Sequence, residues 1–183
     1  MTTIVLAAGL SMRFGSNKLL LPYKSQTIIE ETIQKVLPLS DRTIVVVGHD
    51  KEKIVHILSK YELDVVENKS YKDGQRTSTI KGIECVDNDD FSVLPADLPL
   101  LDQSDILGVF RLLERYSVAR AFYKGTPGHP VAYRKENRER LLTFPGSMKE
   151  YLNGFELGCF EASIGSVFDI DTQDKYEALL VKN

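Results

Sequence analysis

The 183-residue chain has no tryptophan, only two cysteines and only three histidines. Cys85 and Cys159 lie far apart and form no Cys-x-x-Cys pair, which excludes a disulfide framework and a thiolate zinc site. Both are expected to be reduced thiols in the core or near the surface. No apolar run approaches the ~18 to 20 residues that span a bilayer, and the N-terminus lacks the basic, apolar and small-residue order of a signal peptide. A cytoplasmic location with no membrane partner is therefore expected. Charge of one sign is also missing: 23 Lys+Arg against 26 Asp+Glu leave a net charge of -3, with no basic block. Nucleic acid is not an expected partner, and a phosphate-rich ligand would need a local cradle. Absent repeats, linkers and low-complexity tracts leave a single domain over residues 1–183. What is present is a near-average soluble composition, 43% hydrophobic and 27% charged, sufficient for one sizeable core.

Apolar runs alternate with amphipathic stretches along the chain, the pattern of a parallel α/β sheet with crossover helices. Strands are expected at Thr3–Leu6, Thr43–Val47, Asp64–Glu67, Phe91–Leu94, Val118–Tyr123 and Val131–Tyr133. Helices are expected at 28–37, ended by Pro38, then 51–60 with Asp50 as its cap, 78–86, 104–116 and a charged one at 136–142. Gly128-His129-Pro130 reads as a rigid turn, and Pro145 and Gly146 as breakers. Residues 158–162 and 167–170 are candidate edge strands, with a closing helix over 173–181.

The first strand runs into Leu6-Ala7-Ala8-Gly9-Leu10-Ser11-Met12-Arg13-Phe14-Gly15-Ser16-Asn17-Lys18. Small residues directly after a strand let a ligand approach the backbone, whose amides bind phosphate oxygens, and Arg13 and Lys18 add positive charge. Neither a Walker A loop nor GxGxxG is present, which disfavours an NAD(P)H oxidoreductase. Asp97 closes Val93-Leu94-Pro95-Ala96-Asp97, at the carboxyl end of a strand where ligands of open α/β sheets gather. A carboxylate there suits magnesium on triphosphate oxygens, or else a turn cap before Pro99. Asp169 and Asp171 lie one strand step apart on one face, and Asp171 could equally cap the last helix. His129, held between Gly128 and Pro130, has a fixed direction, whereas His49 and His56 read as structural or peripheral. Tyr71 and Tyr123 could flank a flat ligand or pack the rim of the core.

The loop resembles the LAAGxSxRxGxxK signature of the MobA-like nucleotidyltransferases. The resemblance runs collinearly through Asn68, Tyr71, Gly74, Thr77-Ser78, Ala96-Asp97-Leu98-Pro99, Pro127-Gly128-His129-Pro130-Val131 and Asp169-Ile170-Asp171-Thr172. It implies a single-domain Rossmann-like nucleotidyltransferase fold, a mostly parallel twisted sheet flanked by helices on both faces. It implies catalytic roles for Arg13, Lys18 and Asp97, and Mg2+ on Asp97 and Asp171. Nucleotide binding falls to Leu6, Ala7, Ala8, Gly9, Ser11, Gly15, Asn68, Gly74, Thr77 and Ser78, and His129 contacts the acceptor. Ala-Ala-Gly in the loop and Gly-x-x-Thr-Ser are similar to the molybdenum cofactor cytidylyltransferase branch. That branch implies CTP as donor, molybdopterin as acceptor and a molybdenum enzyme as recipient. GTP, another phosphorylated acceptor such as a sugar phosphate, and a non-catalytic nucleotide-binding maturation partner are the alternatives. The sequence departs from the molybdopterin branch at Phe144–Glu150, where relatives often carry Gly-Asp-x-Gly-x-Arg, and this leaves the acceptor open. Ala96 replaces the glycine that usually precedes the aspartate.

Overall fold

The computed structural model describes residues 1–11 and 14–181. Its main sheet has seven strands, and they fall in the order β5 (Asp64–Glu67), β4 (Arg42–Val47), β1 (Thr2–Ala7), β6 (Phe91–Pro95), β8 (Thr126–Tyr133), β7 (Val118–Tyr123), β9 (Gly158–Glu161). The β5, β4, β1 and β6 strands are mutually parallel, β8 runs antiparallel to both β6 and β7, and β9 returns parallel to β7. A separate ribbon pairs β2 (Pro22–Tyr23) with β3 (Gln26–Thr27).

Alternation along β1 decides the two faces. Val5 and Ala7 join Val45, Val47 and Leu94 under α1 (Ile28–Val36), α2 (Lys51–Leu58) and α4 (Gln103–Leu112). Ile4 and Leu6 join Ile44, Val46 and Val93 under α3 (Gln75–Glu84), α5 (Asn137–Thr143) and α6 (Met148–Leu152). The last helix, α7 (Gln173–Val181), packs Tyr176 and Leu179 on Tyr23, Ile28 and Ile170. Both faces of the parallel strands are covered, as such strands require.

Several expectations are corrected. Residues 124–130 hold a hairpin: Tyr123 pairs with Thr126, and Lys124 (φ 48°) and Gly125 (φ 79°) form its two-residue turn. Gly128-His129-Pro130 is thus strand, with a cis peptide between His129 and Pro130, and β8 is longer than Val131–Tyr133. Residues 167–170 form no strand; the chain leaves a 3-10 turn at Ile164–Ser166 and crosses the sheet end, where the Ile170 amide donates to the Asp97 carbonyl at 3.2 Å. Asp50 does not cap α2 through its side chain. At φ 54° its carboxylate turns to Lys53 (3.0 Å) instead. The breakers Pro145 and Gly146 precede a helix, because Ser147 and Glu150 form a capping box that starts α6. The third helix begins at Gln75, not residue 78.

The parallel carboxyl ends of β1, β4 and β6 share one edge, and β1 connects outward to β4 while β6 lies on its other side. This reversal between β1 and β6 is the crevice where open α/β sheets bind ligands.

Candidate active site

A cleft of about 600 Å³ opens at that crevice. Its first wall is the loop after β1. Ser11 adopts φ 50°, its Oγ accepts from the Lys18 amide at 3.3 Å and its carbonyl from the Phe14 amide at 2.8 Å. Asn17 then caps a 3-10 turn over Lys18–Leu20 by accepting from the Leu19 amide at 3.1 Å. These bonds fold the loop back so that Lys18 reaches across the crevice and its ammonium donates to the Asp97 carboxylate. Gly48 closes the neighbouring strand end: a Cβ there would sit 2.7 Å from the Tyr71 Cβ, so the missing side chain lets Tyr71 lie against β4 and line the cleft.

Asp97 is 6% exposed. Burial pushes its carboxyl above the usual carboxylate range; Lys18 opposes this and the nearby Asp169 adds to it. Burial therefore outweighs the counter-ion. On the segment that the Ile170 amide ties to the Asp97 carbonyl, the Lys175 ammonium lies 2.9 Å from Asp169 Oδ1 and 2.8 Å from Asp171 Oδ1. Burial lowers the Lys175 pKa, but the two carboxylates overcome it and leave the ammonium more basic than usual. The α7 terminus is served by Thr172, whose Oγ1 accepts from the Lys175 amide at 3.3 Å, and Asp171 stands in the cleft wall. Lys18 and the carboxylates Asp97, Asp169 and Asp171 thus line one cleft, and Lys175 is paired with two of them.

A further side of the cleft is built by Thr126, Pro127, Gly128 and His129 of β8 with Ser166 and Val167. A Cβ on Gly128 would lie 2.6 Å from the Ser166 carbonyl oxygen, so only glycine lets β8 pass the Ile164–Ser166 turn this closely. Burial, reinforced by Arg120, pushes the His129 pKa down to about 4, and its Nδ1 is buried without a hydrogen-bond partner. Its imidazole is neutral at physiological pH, which suits contact and not proton donation.

Of the residues singled out from sequence, Leu6, Ala8, Gly9, Ser11, Lys18, Gly74, Ser78, Asp97, His129, Asp169 and Asp171 all line this cleft. Ala7 and Gly15 do not; Ala7 faces the core under α1 and α2. Asn68 is 4% exposed and engaged on both ends: Nδ2 donates to Thr77 Oγ1 and Ser78 Oγ at 2.9 Å, and Oδ1 accepts from the Ser70 amide at 3.0 Å. Asn68 and Thr77 therefore stand behind the wall and shape the segment that presents Gly74 and Ser78. Arg13 lies outside the described residues. Tyr71 lines the cleft, while Tyr123 lies beside Lys124 on the hairpin. Sequence reasoning missed Lys175 and Gln75. The spacing of Lys175, one helical turn beyond Asp171, was the available signal for it; Gln75 carried none.

The donor set is hard oxygen, and among the described residues no cluster of three or more metal-ligating side chains is already assembled. Mg2+ takes one or two carboxylates and fills its octahedron with water and phosphate oxygens. Asp97, with Asp171 or Asp169, would hold such an ion. No helix among the described residues is long and apolar enough to cross a membrane.

Comparison with known proteins gives a consistent picture. The MobA-like NTP transferase domain family matches residues 3–154. The molybdenum cofactor cytidylyltransferase of Escherichia coli is 26% identical over 179 residues, covering 94% of this chain and 92% of its own. A probable molybdenum cofactor guanylyltransferase of Bacillus mycoides is 36% identical over 100 residues, covering 52% of this chain and 48% of its own. Among solved structures, Rv0371c of Mycobacterium tuberculosis superposes with a TM-score of 0.86 at 21% identity, over 98% of this chain and 96% of that one. A manganese complex of the same protein gives 0.81 at 19%, over 100% and 98%.

Proposed function

The chain belongs to the MobA-like NTP transferase family, and from that premise we propose that it transfers CMP from CTP to the phosphate of molybdopterin. In this reaction an acceptor phosphate oxygen attacks the α-phosphorus, a new P–O–P bridge forms, and the bond to the β-phosphate breaks to release pyrophosphate. A phosphate monoester is already anionic near neutral pH, so no general base is needed. Catalysis then consists of alignment and neutralisation of charge.

The observation that carries the reading is the Lys18–Asp97 pair in a cleft also lined by Asp169 and Asp171, which Lys175 holds together. The backbone from Ala8 to Ser11 borders the phosphates. The Lys18 ammonium has triphosphate oxygens as an alternative partner to Asp97, so nucleotide entry frees the Asp97 carboxylate. Lys175 holds the other two carboxylates at a fixed spacing. Gly74, Gln75 and Ser78, at the start of α3, border the nucleoside, with Tyr71 beside it, and His129 contacts the acceptor. Magnesium, when bound, supplies charge neutralisation at the phosphates as pyrophosphate departs. The manganese complex of the structurally similar mycobacterial protein supports a divalent ion in this role.

The full-length similarity to the E. coli cytidylyltransferase favours CTP. The shorter but higher identity to the Bacillus guanylyltransferase keeps GTP as the second reading. The test is pyrophosphate release from CTP, GTP, ATP and UTP with molybdopterin, with and without Mg2+, beside a thermal-shift panel of the same nucleotides. The largest Mg2+-dependent shift and the fastest release with CTP are expected. Release with GTP alone moves the donor to guanosine, and no release from any nucleotide overturns the reading.

A further inference from the structure

Arg120 stands in a position that the strand pattern reserves for an apolar side chain. Along β7, Ala119 and Ala121 belong to the core under α4, while Val118 belongs to the opposite core with Val131 and Tyr133. Arg120 is paired with Val131 and alternates with those alanines, so its stem lies on the face of Val118. A guanidinium there loses hydration, and burial lowers its pKa from the ordinary arginine value. Its compensation inside the protein is small. Nε donates to the Gly128 carbonyl at 2.9 Å, and among the described residues no carboxylate lies within ion-pair distance and no other hydrogen bond is made.

The neighbours are the acceptor side of the cleft. Gly128 and His129 line it, and Arg120 bears electrostatically on both His129 and Tyr133. His129 and Asp169 line the same cleft, and Arg120 is bonded to the carbonyl of Gly128, the residue before His129. A half-buried cation without a counter-ion, bonded to the carbonyl of cleft-lining Gly128, is complementary to a negative group on a bound molecule.

We propose that Arg120 is a specificity residue that binds a second negatively charged group of the acceptor, set apart from the phosphate that reacts. This deepens the nucleotidyltransferase reading and rests on it for the identity of the ligand. Acceptors with two anionic groups are then favoured over those with one, and the β7–β8 pair reads the end of the acceptor remote from the triphosphate.

The test has two arms. In the first, inorganic sulfate is titrated into the 15N-labelled protein and the Arg120 Nε–H signal is followed, assigned by its loss in Arg120→Leu. A saturable displacement is expected; a signal that does not move overturns the inference. In the second, pyrophosphate release from CTP is measured against molybdopterin concentration for wild type, Arg120→Leu and Arg120→Lys. Losing a charge-assisted bond should raise the acceptor KM of Arg120→Leu about ten- to hundredfold, with the CTP KM and kcat within about twofold, and Arg120→Lys should recover part of it. An unchanged acceptor KM overturns the inference and leaves the nucleotidyltransferase reading standing. If wild type releases no pyrophosphate, that reading falls and the sulfate arm alone decides whether Arg120 binds anions. Leucine fits beside Val118 and Val131, so the variant is expected to fold; Arg120→Met serves the same comparison.

Discussion

Replacing Lys18 by methionine tests the most distinctive electrostatic arrangement in the molecule. The side chains of Lys18 and Asp97 are 19% and 9% exposed, so removing the ammonium leaves a nearly buried carboxylate without its counter-ion. Breaking such a pair costs about 3–5 kcal/mol when the remaining charge is fully buried, and the residual exposure of Lys18 reduces this to about 2–3 kcal/mol. In a chain of this size each kcal/mol shifts Tm by about 2–4 °C, so Lys18→Met should lose about 4–12 °C at pH 8. The loss should depend on pH. Burial raises the folded-state pKa of Asp97, so its contribution to stability is fully present below the ordinary value near 3.8 and fades as pH rises through the folded value. Without Lys18 that folded value rises further, and the fading extends to higher pH. The difference in Tm between wild type and Lys18→Met should therefore be below about 3 °C at pH 4 and grow towards pH 8. Thermal unfolding across that range reads it, with Lys18→Met/Asp97→Asn as the companion: with no charge to strand, the double variant should recover most of the loss at pH 8. A difference in Tm independent of pH, or a double variant worse than Lys18→Met at pH 8, refutes the reasoning.

Asp97→Asn should lower the rate of pyrophosphate release about 100-fold or more while costing less Tm than Lys18→Met, because the ammonium it leaves is the more exposed of the two groups; near-normal turnover refutes the metal-binding assignment. The His129 pKa, lowered to about 4, makes folding bind fewer protons than the unfolded chain between about pH 4 and 6.5. His129 therefore destabilises the fold as pH falls through that window, and His129→Asn should flatten the Tm profile there; an unchanged profile counts against burial of the ring. Gly128→Ala places a methyl group 2.6 Å from the Ser166 oxygen and should cost about 1–3 kcal/mol, read by denaturant unfolding, with the acceptor KM more affected than the CTP KM. A silent Gly128→Ala would mean that the Ile164–Ser166 turn yields freely.

The parallel strands were legible because each is a short run with apolar residues at its centre, β-branched throughout Thr43–Val47, closed by a loop of small or polar residues. The cleft was legible where a residue's chemistry and its place at a strand end coincide, as for Lys18, Asp97 and Gly9. Legibility failed where tertiary contacts chose among local options. Gly128-His129-Pro130 has the composition of a turn, yet Lys124-Gly125 takes the two left-handed positions and leaves it extended. Residues 167–170 have strand composition, yet the Ile170 amide finds the Asp97 carbonyl before any strand edge. Asn68 carries the polarity of a ligand contact, but its amide is consumed by Thr77, Ser78 and Ser70, which only the folded geometry shows. Arg120 was invisible for the opposite reason: an isolated arginine within an apolar strand reads as a surface residue until its neighbours are known.

That bond between Ile170 and Asp97 ties two distant parts of the chain at one point. Lys18 meets Asp97 from the β1 loop, while Asp169, Asp171 and Lys175 are carried on the stretch that Ile170 anchors. Any displacement of that stretch therefore moves its two carboxylates and their shared ammonium together relative to Asp97.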